Sequence, residues 1–192
     1  QQNGIVEERF AEKLEEKFGV EITEEEVRKQ VSINNKNRLA LRHFYELMKL
    51  DPPPMAGLNL YSVLYGSSFK FDKEKIAPEV EALTERIRKE YEEGKCEIKK
   101  RPRIMVTGCP IGGNAMKVVR AIEENGGNVV CFENCGGAKS VDELINENTD
   151  DIYQAIADRY LNIGCSVMTP DSNRIKLMGR LLEEYKIDAV VE

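Results

Sequence analysis

A β-rich run, Arg103-Ile104-Met105-Val106-Thr107, leads directly into Gly108-Cys109-Pro110-Ile111-Gly112-Gly113 and then into a helical pattern carrying Met116, Val119 and Ile122. No other stretch narrows the possible folds so sharply, because a helix that follows a strand must lay its apolar stripe back on that strand's sheet. The helix ends at Asn125-Gly126-Gly127, and Asn128-Val129-Val130-Cys131-Phe132 repeats the strand signal. Glu133-Asn134-Cys135-Gly136-Gly137 is a second glycine loop. A short helix is expected over Asp142 to Asn146 and another over Ile152 to Asn162, the latter ending at Ile163-Gly164-Cys165. Asn173 to Tyr185 reads as a last helix and Ile187 to Val191 as a last strand. Strands alternating with helices mean βαβ units, so the expected class is α/β, with a Rossmann-like or flavodoxin-like parallel sheet flanked by helices.

Before this unit the pattern is helical. Ile5, Phe10, Leu14 and Phe18 recur at helical spacing. Thr23 followed by Glu24, Glu25 and Glu26 forms a capping-box start, and Val27, Val31, Leu39, Phe44, Leu47 and Leu50 continue the stripe. Asp51-Pro52-Pro53-Pro54 stops that helix. Gly57 opens a shorter one, and Asp72 to Glu93 carries Ile76, Val80, Leu83, Ile87 and Tyr91 to the stop at Gly94. The basic connector Lys95 to Arg101 marks the best internal boundary. The expected organisation is a helical segment over 1–100 and an α/β unit over 101–192, truncated at its C-terminal end. A start at Gln1 and a stop inside a strand pattern read as an excised fragment.

The 192 residues hold 28 basic and 34 acidic side chains, a net charge of −6. An acidic chain without a basic stripe is a poor nucleic-acid ligand, since phosphate neutralisation supplies most of that affinity. No apolar run reaches the roughly 18 residues of a membrane span. Five cysteines, an odd number, and no leader pattern argue against a disulfide framework and for a reducing cytoplasm. One histidine, His43, leaves little room for zinc or Ser-His-Asp chemistry within the chain.

Ligands of open parallel sheets gather beyond the carboxyl ends of the strands. Both glycine loops sit there, each with a cysteine. Gly108, Gly112 and Gly113 can turn backbone amides towards an anion at a helix start, although the spacing is neither G-x-G-x-x-G nor a Walker loop, and a plain tight turn is the competing reading. Cys131 reads as strand core. Cys135 and Cys165 stand in glycine-flanked loops without apolar neighbours, where a thiolate can ligate iron or attack a substrate. Cys96 in the connector reads as incidental and His43 as helix surface or packing.

The strings Arg101–Gly113, Ala121–Gly127, Glu133–Lys139 and Ala157–Ser166, together with Asp51–Gly57 and Tyr65–Asp72, resemble the 2-hydroxyacyl-CoA dehydratase and benzoyl-CoA reductase superfamily. They cover nearly the whole chain in order and look nearest to the double-cubane-cluster proteins and related dehydratase subunits of anaerobes. The resemblance implies two Rossmann-like domains with an iron–sulfur cluster, 4Fe-4S or double-cubane, held between them by cysteines. It also implies an ATP-hydrolysing iron–sulfur activator protein as partner, a second subunit or second copy, and single-electron reduction of a 2-hydroxyacyl-CoA or related small molecule. Cys135 and Cys165 are the positions it carries over as metal ligands. The family's other usual cluster cysteines fall outside the chain, and a second cysteine often found two places after Cys165 is Val167 here. The fragment alone is expected to be inactive and can lack the cofactor altogether.

Two other readings stand beside this one. The first is a CoA- or nucleotide-binding module acting through Gly108 to Gly113 without a cluster. The second is an assembly role for the helices before residue 100. The redox reading requires Cys135 and Cys165 to converge on one rim of a single sheet.

Overall fold

The computed structural model describes residues 4–113, 116–165 and 167–192. Helix α1 (Gly4–Phe18) ends at Gly19, whose φ of +64° turns the chain away from the helix. Helix α2 (Glu24–Glu46) starts with the expected capping box: Glu26 N–H donates to Thr23 Oγ1 at 3.2 Å and Thr23 N–H to Glu26 Oε2 at 3.2 Å. A 3-10 turn (Leu47–Lys49) tightens its end before the prolines. Helix α3 (Gly57–Ser68) and helix α4 (Ile76–Glu92) follow. The α/β unit then runs β1 (Arg103–Val106), α5 (Met116–Glu124), β2 (Asn128–Phe132), α6 (Ala138–Val141), α7 (Ile152–Asn162), α8 (Ser172–Glu184) and β3 (Ala189–Val191).

The sequence expectation misses in one place. The short helix lies at Ala138–Val141, ahead of the expected Asp142 to Asn146. The buried amide of Asn35 explains the shift. Its Nδ2 donates to the Ile145 carbonyl at 2.8 Å and its Oδ1 accepts from Ile145 N–H at 3.0 Å. Both backbone groups of Ile145 are thereby satisfied from α2, and a helix there would have to break that pair.

The described strands form one parallel sheet in the order β2-β1-β3. Pairing of β1 with β2 steps from Ile104–Val129 to Met105–Cys131, so Val130 is an extra, bulged residue. All residues of β1 and β2 are buried, as expected of a parallel sheet covered on both faces. The main apolar cluster unites Phe44 of α2, Leu60 and Tyr61 of α3, Ile76 of α4, Met105, Phe132 and Leu181. Helices from the first hundred residues therefore share a core with the sheet. Contact is close: a Cβ added to Gly57 would stand 2.2 Å from the Val129 carbonyl oxygen. A smaller cluster of Val31, Ile145, Ile152 and Ala155 joins α2 to α7. No helix among the described residues is long and apolar enough to cross a membrane.

One charged side chain ties these parts together. Arg103, 3% exposed, opens β1. Its Nε donates to Tyr185 O at 2.7 Å, Nη1 to Leu50 O at 3.0 Å and Nη2 to Met48 O at 2.5 Å. These carbonyls close α8 and the α2 extension, where the last helical carbonyls otherwise lack donors. Arg103→Met should lower the unfolding free energy by about 3 kcal/mol, because three buried carbonyls lose a charged donor. Urea denaturation measures it, and a change under about 1 kcal/mol would remove Arg103 from this role.

A surface pair adds a pH signature. Lys49 donates to Glu184 Oε2 at 2.9 Å and holds that carboxyl below its ordinary value of 4.5. A depressed carboxylate adds stability above its unfolded pKa and loses it as pH falls through the folded one. Chemical denaturation between pH 6 and 3 should therefore show a loss of stability below about pH 4.5 that is smaller in Glu184→Gln.

Candidate functional site

The carboxyl ends of β1 and β2 extend by one residue each. Thr107 N–H donates to Val191 O and Glu133 N–H to Val106 O, both at 2.9 Å. This places the Thr107 and Glu133 side chains next to one another. Thr107 Oγ1 donates to Glu133 Oε2 at 2.6 Å. Lys139 Nζ lies 2.8 Å and Arg174 Nε 3.2 Å from Glu133 Oε1. Arg174 Nη2 completes the ring by donating to Thr107 Oγ1 at 3.3 Å. Glu133 is wholly buried and Lys139 is 6% exposed. One carboxylate thus faces two cations, and Asp171 and Glu192 add negative charge near Arg174. Hydrogen bonding to Glu133 raises the Arg174 pKa above its ordinary value, so the guanidinium stays charged.

Asn134 organises the next turn. Its Oδ1 accepts from Gly136 N–H at 3.1 Å and its carbonyl from Gly137 N–H at 3.0 Å. The first bond fixes which end of the amide is oxygen. The Nδ2 is then buried without a partner among the described residues. A buried donor left unpaired costs about 1–3 kcal/mol.

The two glycines after Cys135 serve internal packing. A Cβ on Gly136 would stand 2.2 Å from Tyr61 Oη, and one on Gly137 2.1 Å from the Phe132 carbonyl oxygen. Tyr61 Oη donates to Ile111 O at 2.7 Å, so one hydroxyl holds the Gly108–Gly113 loop while pressing on the Cys135 loop. Gly108 (φ +100°) and Gly113 (φ +51°) adopt backbone open to glycine, while Gly112 makes room for Tyr65, with an added Cβ 3.0 Å from its hydroxyl oxygen.

Cys165 arrives from the other side. An added Cβ on Gly164 would be 2.5 Å from Arg174 N, so this loop lies directly on the first turn of α8, whose Arg174 reaches Glu133. The Cys135 and Cys165 loops are therefore joined through a single Arg174–Glu133 pair. Cys135 is exposed and Cys165 half-buried; Cys109, after β1, is also exposed. Cys131 is fully buried beside the Tyr45 hydroxyl, and burial pushes its thiol up to about 12. Cys96 is half-buried in the connector, with Pro53 O 3.4 Å away, and His43 lies exposed on α2. Among the described residues, no three His, Cys, Asp or Glu side chains form a metal-holding group.

Sequence reasoning missed the charged ring. One signal was available: Arg174 lies in the first turn of α8, where the helix dipole disfavours a cation unless a carboxylate meets it.

Residues 6–192 match the family described as 2-hydroxyglutaryl-CoA dehydratase, D-component. The chain belongs to this family. A curated relative from Escherichia coli (strain K12), named "Putative dehydratase subunit YjiM", is 48% identical over 184 residues, covering 96% of the chain. The chain spans about half the length of that relative, 48%. The Glu133 ring and Tyr61 hold the strand-end loops that carry Cys135 and Cys165.

Exposure orders the thiols, and burial sets Cys131 apart. A thiol-reactive dye under native conditions should label Cys109 and Cys135 first, and Cys131 only on unfolding. Peptide mapping of the labelled sites checks this; early labelling of Cys131 would contradict its burial.

Proposed function

We propose that this chain is part of a subunit of an ATP-activated, iron–sulfur-dependent dehydratase or reductase, acting on a 2-hydroxyacyl-CoA or related small molecule. The observation that carries the proposal is the Glu133 ring, which fastens the Cys135 loop to the Gly164-Cys165 loop and sits next to the buried Asn134, whose Nδ2 has no partner among the described residues.

Thiolates are the right donor chemistry for such a cluster, and Cys135 and Cys165 would hold it. A cluster of this kind takes four protein ligands in its commonest form, so others would come from beyond the described residues. When bound, the cluster supplies single-electron reduction at low potential. The chain's own residues set its surroundings. Lys139 and Arg174 hold the buried Glu133 carboxylate from two different helices. Asn134 offers an N–H to a sulfur or oxygen acceptor, while Thr107 keeps Glu133 in place. An ATP-hydrolysing iron–sulfur activator would deliver the electron, and a second subunit or second copy would complete the assembly. The named relative is itself described as a dehydratase subunit.

A second reading, a CoA- or nucleotide-binding module, rests on the positive-φ glycines Gly108 and Gly113 that flank the loop held by Tyr61. One experiment separates the two. The full-length parent protein is reconstituted anaerobically with iron and sulfide, and bound iron and charge-transfer absorption are measured for wild type, Cys135→Ala and Cys165→Ala. Each variant should lose most of the bound iron while keeping the wild-type melting temperature. Full iron in both variants, or tight CoA-thioester binding with no iron uptake by wild type, would favour the module instead.

A further inference from the structure

A second hollow lies away from the strand-end loops and shares none of their residues. It runs between α2 and α7 beside the α1–α2 turn, with a volume of about 490 Å³. That is within the roughly 300–1,000 Å³ of small-molecule sites. Its floor is apolar: Ile22, Val27, Val31, Ile145 and Ile156.

One end is built differently. Arg38 is half-buried there, and its Nη1 donates to Asn35 Oδ1 at 3.0 Å. No carboxylate of the described residues pairs with it; Glu147 is bound on the other side of the Asn35 amide, to Nδ2 at 2.8 Å. Arg159 of α7, 6% exposed, is the neighbouring charge. It too lacks a carboxylate and donates to the carbonyls of Ser140 (2.9 Å) and Glu143 (3.3 Å), with the Tyr160 ring 5.1 Å from its guanidinium carbon. Burial first, and then the Arg159 charge, lower the Arg38 pKa, while Tyr160 opposes them. The acids on the hollow are Glu21 and Glu26, and the Glu26 carboxylate is already engaged by Thr23 in the α2 cap.

Two desolvated guanidiniums supplied only with amide and carbonyl oxygens are an incomplete electrostatic arrangement. A planar carboxylate supplies what is missing, because it accepts two parallel N–H bonds from one guanidinium. The apolar floor leading away from Arg38 suits a hydrocarbon tail, while Gln30, Asn34 and Tyr160 also line the hollow. We propose that this groove binds a small carboxylate with an apolar tail, its carboxylate on Arg38 and its tail along Val27, Val31 and Ile156. The site is independent of the proposed cluster, so either can fail without the other.

Calorimetric titration of the 192-residue chain with octanoate, octanol and octylamine tests the site. Octanoate should bind saturably at one site per chain, at least tenfold tighter than octanol, and octylamine should not compete with it. Arg38→Gln should weaken octanoate at least tenfold with an unchanged melting temperature. Should that variant unfold, Val27→Asp, at a half-buried position of the floor, provides the second check and should abolish octanoate binding. Absence of saturable octanoate binding, equal affinities for octanoate and octanol, or unchanged affinity in both variants overturns the proposal. So does a wild-type dimer that Val27→Asp converts to monomer without any octanoate effect, since a second copy then fills the groove.

Discussion

The buried guanidinium of Arg103 is the constraint on which the rest of the molecule rests. Helices end with carbonyls that have no donors of their own. Here the ends of α8 and of the α2 extension both point at the first residue of β1, and one side chain answers three of their carbonyls. Asp188 takes the Arg103 backbone N–H at 2.8 Å, so the start of β3 is aligned by the same residue. An apolar side chain there would fill the space yet leave those oxygens unpaired. The charge therefore acts as a geometric reference from which the helical layer, α8 and the two strands take their positions.

At the opposite end of the same strand, a second buried charge cluster has a local task. Glu133 is surrounded by Thr107, Lys139 and Arg174, each from a different element. Taking a carboxylate out of water is costly unless its partners are fixed, and here they are fixed by sheet and helix. The consequence is precise placement of loops that have little apolar contact of their own. Side chains at Gly136, Gly137 and Gly164 are excluded by the Tyr61 hydroxyl, the Phe132 carbonyl and the Arg174 backbone respectively.

Much of this was legible from residues alone. The strands Arg103–Val106, Asn128–Phe132 and Ala189–Val191 fall within short apolar runs expected over 103–107, 128–132 and 187–191, and the Thr23 cap follows from its glutamates. Cys131 as core and Cys135 as exposed loop both follow from position relative to the second strand. What could not be read is long-range. Nothing local in Asn35 announces that it will bond both backbone groups of Ile145 and displace a helix. Nor does spacing reveal that Lys139 and Arg174, 35 positions apart by their numbers, meet on one carboxylate. Nor does the sequence show that the space beside Gly136 and Gly137 is filled by Tyr61 and by the Phe132 carbonyl.

The tyrosine hydroxyl of α2 has a wider effect than its contact with Cys131. Phe132 N–H, which faces away from β1, donates to Tyr45 Oη at 2.6 Å. The Glu123 carboxylate accepts from Gly57 N–H at 2.6 Å, and Gly57 lies directly against the Val129 carbonyl. The outer flank of β2 is thus sealed by side chains and by a helix start, whereas Ala189 and Val190 on β3 stay open. The sheet has a one-way direction of growth: an added strand has a place beside β3 and none beside β2.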